Sequence, residues 1–189
     1  MRESNGKILF HRAWAMPSHE TFRIKPINEF VRKYIAASKI SIDPFARDAP
    51  FATHTNDINK KTRAGHHLKA IDFLNLLETQ KILADLVLFD PPYSVRQVKE
   101  MYEGAGLQLT QRDTQYTTAM NWREERDVLD RLIRPGGTVL SFGWHSNGMQ
   151  RGRGYHLKEV LLVAHGGGHY DTICIAEQKI KGNQLDFLK

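Results

Sequence analysis

Ile82-Leu83-Ala84-Asp85-Leu86-Val87-Leu88-Phe89-Asp90-Pro91-Pro92-Tyr93 is the stretch on which the reading of this chain turns. The apolar run from Leu86 to Phe89 predicts a buried strand that stops at Asp90. Neither Pro91 nor Pro92 can donate to a ladder, so the chain must leave the sheet there. A carboxylate, a stiff backbone and an aromatic ring are thereby set at a strand's carboxyl end, where open α/β sheets keep their ligand crevice.

Outward from this point, elements alternate. Residues 29–37 have helical spacing, with Phe30, Val31, Tyr34 and Ile35 on one side, after a polar start to the chain. Residues 39–43 and 52–57 read as short strands, each ending at an acid. Residues 68–77 form a helix striped by Leu68, Ile71, Leu74 and Leu77. Beyond the central strand the pattern gives a helix over 95–103, a loop over 104–116 and a helix over 118–133 stopping at Pro135-Gly136-Gly137. A strand over 138–142, a glycine-bearing loop over 143–154 and strands over 160–164 and 172–176 follow. The last two strands are joined too tightly for a parallel crossover and must pair antiparallel. The expected fold is α/β: a doubly wound, mainly parallel, Rossmann-like sheet with a C-terminal antiparallel β-hairpin.

Length and composition fit a single domain over residues 1–189. The chain has 189 residues, 41% of them hydrophobic, with no internal repeat or low-complexity linker. No apolar run is long enough to span a membrane and no signal-peptide pattern opens the chain. A single cysteine, Cys174, excludes an internal disulfide and suits a reducing cytoplasm. The 27 basic and 21 acidic residues leave a net charge of +6, compatible with a polyanionic partner but weak support for one.

Asp90-Pro91-Pro92-Tyr93 resembles the signature of DNA amino-methyltransferases, which carry a methyl group from S-adenosylmethionine to an exocyclic amine of a base. Asp at its first position is closer to the adenine-N6 group than to the cytosine-N4 group. The resemblance runs from about Thr21 to Ala176 and implies a class I methyltransferase fold, S-adenosylmethionine as cofactor and DNA as partner. The catalytic set it implies is Asp90, Pro91, Pro92 and Tyr93. Asp90 and the Pro91 carbonyl accept the amine hydrogens and draw a flat nitrogen toward a tetrahedral shape, while Tyr93 stacks on an extruded base. Neither a metal nor a covalent nucleophile is required.

The same resemblance places the cofactor. Asp43-Pro44-Phe45-Ala46 is similar to the opening of the cofactor loop, and Asp57 matches the acid that takes both ribose hydroxyls, with Ile58 packed on the adenine. Thr21 to Ile27, including Lys25, looks like the segment closing over the methionine end. Two departures stand out. The loop continues as Arg47-Asp48-Ala49-Pro50 where the family is glycine-rich, and Lys69 stands where it generally has an acid.

Other features read from the residues alone are less specific. Arg151 and Arg153 on a glycine loop near Trp144 suit phosphates and an unstacked base, or simply a solvated loop. His66-His67 and His165/His169 lack carboxylate or thiol companions at ligand spacing, which favours structural roles over a metal site. Asp43 and Asp57 are also ordinary strand-end turn formers, and Asp90-Pro91-Pro92 is also a plain strand terminator. The chain has no room for a separate target-recognition region. Recognition then falls to loops 104–116 and 143–154, to a second copy in a homodimer, or to a partner. Two alternatives stand beside DNA methylation: transfer to a protein amide or another amine, and a non-catalytic fold that binds DNA or a partner.

Overall fold

A computed structural model describes residues 7–110, 122–149 and 152–180. Seven strands form one sheet: β1 (Leu9–Trp14), β2 (Ser41–Asp43), β3 (His54–Thr55), β4 (Ala84–Phe89), β5 (Ile133–Gly143), β6 (Tyr155–Ala164) and β7 (Thr172–Lys179). Their order is β1-β6-β7-β5-β4-β2-β3. β7 is inserted between β5 and β6 and runs antiparallel to both, whereas the other pairings are parallel. This is the doubly wound sheet with an antiparallel terminal hairpin that the alternation predicts. Among the described residues no helix is long and apolar enough to cross a membrane.

The strand period of two sorts β4 between two cores. Leu86 and Leu88 face α1 (Lys25–Ile35), whose Ile27, Phe30 and Val31 pack with Phe22, Leu140, Phe142, Leu161, Val163 and Cys174. Val87 and Phe89 face the other side. There α2 (Ala70–Thr79) contributes Phe73, Leu74 and Leu77, and α4 (Arg123–Leu132) contributes Val128, Leu129 and Leu132. α1 begins four residues earlier than its periodicity indicates, because Pro26 sits in the first turn, where its missing N–H and fixed φ favour a helix start. α3 (Val95–Gly104) follows the Pro-Pro segment and is capped by Ser94, whose Oγ accepts the Gln97 N–H at 3.2 Å.

The expected strand over 52–57 is confined to His54–Thr55, and three further expectations are corrected. The polar start contains β1, which pairs with β6 at the sheet's edge; Leu9-Phe10-His11-Arg12 is exposed on both faces, so no alternation of burial marks it. The described part of the fourth helix runs from Arg123 to Leu132, and residues 118–121 of the expected helix lie outside the described residues. β5 begins at Ile133 and passes through Pro135-Gly136-Gly137 instead of starting at 138. An irregularity absorbs the extra residues, since Ala84 opposes Ile133 while Leu86 opposes Thr138. Gly137 permits this close approach: a Cβ there would lie 3.0 Å from the Arg134 carbonyl and 3.2 Å from that of Ala84.

Two buried polar contacts fasten β6 to its surroundings. His165 lies at the turn between β6 and β7, its Nδ1 2.8 Å from the Ala15 carbonyl and its Nε2 2.9 Å from the Thr172 hydroxyl. A carbonyl only accepts, so Nδ1 carries the proton and Nε2 accepts. Glu159 on β6 is buried against α1, where Lys33 Nζ and the Tyr34 hydroxyl each meet Oε2 at 2.6 Å, while His11 of β1 reaches Oε1 at 3.3 Å. Burial raises the carboxyl's pKa, but the Lys33 and Tyr34 bonds outweigh it and hold Glu159 below the ordinary value of 4.5. A depressed carboxylate stabilises the fold above its unfolded pKa and loses that contribution as pH falls through the folded value. The urea midpoint is therefore expected to drop as pH is lowered below about 4.5. Glu159→Gln should cost roughly 1–3 kcal/mol at pH 7 and flatten that acid limb.

Candidate active site

Three aspartates converge at the carboxyl ends of β2, β3 and β4. Asp43 ends β2 and is fully buried; its Oδ1 accepts the Phe45 N–H at 3.0 Å, and its Oδ2 has no partner among the described residues. Burial drives its pKa well above the ordinary value, and the nearby charges of Asp90 and Asp57 push the same way. Asp57, also buried, accepts the Asn59 N–H at 2.7 Å, and burial raises it too. Asp90 follows β4 and is half-buried. It accepts the Tyr93 hydroxyl and is hydrogen-bonded by the Thr21 side chain, yet burial still raises its pKa.

Arg47 is the cation that faces this group. Its charge acts on both Asp57 and Asp90, its backbone N–H bonds Asp57, and its Nη1 donates to the His19 carbonyl at 2.5 Å. The residue has φ +50°, a left-handed conformation that costs a side-chain-bearing residue about 1–2 kcal/mol. The turn thus keeps the backbone shape that glycine suits, with an exposed guanidinium whose charge acts on Asp57 and Asp90 without an ion pair among the described residues. Asn56, which the sequence reading did not single out, fixes the surrounding loops. Buried, it donates to the Pro44 and Leu68 carbonyls at 3.1 and 3.0 Å and accepts the Leu68 N–H at 3.0 Å. The adjoining backbone bonds, Asn56 N–H to Asp43 and Ala46 N–H to Asn56, lock β2, β3 and the cofactor-loop candidate together.

Two cavities open beside this cluster. The larger, about 500 Å³, lies between α2, α3, the start of α4 and the loops after β2 and β3. Its walls include Phe45, Asp57, Ile58, Leu68, Trp122 and Glu125. The smaller, about 50 Å³, is bounded by Pro91, Pro92, Tyr93, Arg126, Gly143 and Trp144. Trp122 borders both and meets Phe45 edge-on, ring centroids 5.1 Å apart.

The structure brings Phe45, Asp57 and Ile58 together on the larger cavity and Pro91, Pro92, Tyr93 and Trp144 on the smaller one. Asp43, Ala46 and Asp90 line neither; Asp90 shares its strand face with Leu88, toward α1 and Thr21. Lys25, exposed at the start of α1, also lies away from both cavities. Tyr93 is held by its N–H to Gln97 Oε1 at 2.6 Å, and burial with the Asp90 charge keeps its hydroxyl protonated. Its ring lies 5.7 Å from that of Trp144, which in turn lies 4.7 Å from Tyr170.

Arg153 differs from the expectation of a free phosphate contact. It is turned inward, pairing with Asp127 at 2.5 Å and donating to the Met149 carbonyl at 2.9 Å. Arg151 lies outside the described residues. Among those residues no cluster of His, Cys, Asp or Glu is arranged to hold a metal ion. Glu125 and Arg126 are buried charges beside the cavities that sequence reasoning missed. A signal was present for the first: Glu125, Val128, Leu129 and Leu132 share the i, i+3, i+4, i+7 stripe, so an acid occupies an inward-facing position.

Comparison with known proteins rests on structure alone: no family profile and no curated protein matches the sequence. SMU.776, a provisionally assigned methyltransferase complexed with SAH, superposes with a TM-score of 0.57 at 10% identity, covering 85% of this chain. This chain spans 50% of SMU.776. The N-methyltransferase NodS from Bradyrhizobium japonicum WM9 gives 0.47 at 10% identity, covering 83% of this chain and 96% of its own. The Escherichia coli protein yhhF, provisionally a methyltransferase, gives 0.47 at 12% identity, with coverages of 82% and 83%. The likeness to SMU.776 establishes the class I methyltransferase fold.

Crowding of the acids has a measurable consequence. A carboxyl whose folded pKa is raised weakens the fold once pH exceeds its unfolded pKa, because the native state resists losing the proton. Asp43→Asn is expected to raise the urea midpoint at pH 7, with the gain disappearing below about pH 4, where the unfolded aspartate is protonated as well. An equal gain at both pH values would contradict the electrostatic account.

Proposed function

We propose that this protein is an S-adenosylmethionine-dependent methyltransferase acting on the exocyclic amine of adenine in DNA. The observation that carries the reading is the carboxyl of Asp90, half-buried at the end of β4, donor-bound and followed by the rigid Pro91-Pro92 and Tyr93. The fold supports methyl transfer, and the residues present suit the cofactor. The Asp57 carboxylate stands beside Ile58 on a cavity of nucleoside size, where it is placed to take a ribose diol. Asp43 is fully buried and lines neither cavity, so its proposed part is to hold the start of the cofactor loop through the Phe45 N–H. Phe45 lines the larger cavity, while Ala46 and Lys25 are assigned to the methionine end by the sequence resemblance alone.

When bound, S-adenosylmethionine supplies a methyl group already activated by a positively charged sulfur. The remaining work belongs to the chain. An adenine amine is a weak nucleophile because its lone pair is delocalised into the ring. Asp90 accepts one amine hydrogen in place of the Tyr93 hydroxyl, and the Pro91 carbonyl accepts the other. Two fixed acceptors favour a tetrahedral nitrogen and stabilise positive charge as it builds there. Asp90 then takes the proton that the methylated amine releases, a role its raised pKa favours.

An amine inside a duplex is out of reach, so the base must be extruded or already single-stranded. Tyr93, Trp144 and the exposed Tyr170 form a ring series beside Asp90 on which a base and its neighbour stack, each contact contributing roughly 1–3 kcal/mol. The net charge of +6 favours a polyanion, with Arg151 assigned to phosphate.

The test is transfer of labelled methyl to adenine-containing duplex and single-stranded oligonucleotides, with N6-methyladenine identified after digestion. Labelling of protein without labelling of DNA would reassign the substrate to an amide. Asp90→Ala is expected to lower transfer at least about 100-fold while S-adenosylhomocysteine affinity stays within about threefold. Asp57→Ala is expected to weaken that affinity about tenfold through the lost ribose bonds.

A further inference from the structure

Glu125 lies on α4 with its side chain turned into the protein, 6% exposed, and its Oε2 has no hydrogen-bond partner among the described residues. A buried carboxyl oxygen in that state costs about 1–3 kcal/mol or more, so it calls for a donor from outside the chain. Glu125 lines the same 500 Å³ cavity as Asp57 and Ile58. Phe45, Leu68 and Trp122 supply flat or apolar walls there, beside polar Asn56, Lys69, Asp72 and Asn75. A cavity with apolar faces, a carboxylate suited to a diol and a second carboxyl lacking a donor matches one ligand class, a nucleoside whose base bears an exocyclic amine.

We infer that Glu125 reads the adenine ring of the bound cofactor, its carboxyl accepting a hydrogen bond from the ring's exocyclic amine. The inference rests on the functional reading above and adds a residue from a different element to the site. The charged groups around it are compatible. Lys69 on the same wall lies over the Tyr102 ring at 5.7 Å, Asp72 and Asp57 share the cavity, and Glu124 and Arg126 adjoin on α4. Burial, with a smaller push from Glu124, raises the Glu125 pKa to about 7, so both protonation states are present at neutral pH. Either state accepts the amine hydrogen; the protonated form also donates to the neighbouring ring nitrogen. A hypoxanthine ring presents a carbonyl at the amine's position, which an ionised carboxylate repels and only the protonated carboxyl can pair with, so the preference for adenine develops as pH rises above about 7.

The experiment is calorimetric titration of the full chain with S-adenosylhomocysteine and with its inosine counterpart, for the wild type and for Glu125→Gln and Glu125→Leu, with circular dichroism confirming that each variant is folded. At about pH 8.5, where Glu125 is mostly ionised, the wild type is expected to prefer the adenosine ligand at least tenfold. Glu125→Gln, whose amide can accept from an amine or donate to a carbonyl, should bring the two within about threefold. Glu125→Leu should bind both weakly. A wild-type preference that persists unchanged in Glu125→Gln overturns the inference and leaves the functional reading standing. Absence of S-adenosylhomocysteine binding by the wild type overturns both.

Discussion

Burial of three carboxyls at one edge of the sheet is the constraint from which the rest follows. Asp43, Asp57 and Asp90 come from three neighbouring strands in the order β4-β2-β3, and each is pushed toward its protonated form by burial. Arg47 offsets part of that cost from a left-handed turn that also gives its backbone N–H to Asp57. Such an arrangement is expensive for a fold to maintain without a use, since a buried carboxyl oxygen with no donor is among the costlier features a small domain can hold. It leaves an edge that favours an incoming cation or amine hydrogen over water.

Strand parity explains why the chemistry is divided between two sides of β4. Even-numbered Leu88 and Asp90 look toward α1, and odd-numbered Phe89 looks toward α2 and α4. The acids that would meet the reacting nitrogen and the methionine end therefore lie on the α1 side, under Thr21. The nucleoside-sized cavity lies on the other side, walled by α2, α3 and α4. A ligand that reaches both must cross the strand ends, and Pro91-Pro92 clears that path by ending β4 abruptly. The aromatic series Tyr93, Trp144 and Tyr170 continues along the same edge.

Much of this arrangement is legible in the chain because local rules and the fold agree there. Leu86-Val87-Leu88-Phe89 is apolar on both faces because both are covered, and Asp90-Pro91-Pro92 can only be an exit. Elsewhere tertiary context overrides the local signal. Leu9 to Trp14 belongs to the sheet solely through its pairing with β6, and an edge strand solvated on both faces has no pattern to announce it. The strand over 52–57 shrinks to His54–Thr55, and beyond it the Asn56 backbone bonds Asp43 and Ala46 while its side chain ties in Pro44 and Leu68. Pro135 and Gly137 argue for a loop, yet the sheet takes them in through an irregular pairing. The inward turn of Arg153 depends on Asp127, 26 residues away in sequence, a pairing that spacing cannot disclose. Glu125 is the instructive intermediate: its place on the helix stripe was readable, but its lack of a partner was not.

The most direct test of the account is a crystal structure of the protein grown with saturating S-adenosylhomocysteine. The account predicts the adenosine portion in the 500 Å³ cavity with its diol on Asp57. That cavity free of ligand at saturation, or a diol bound away from Asp57, would contradict it.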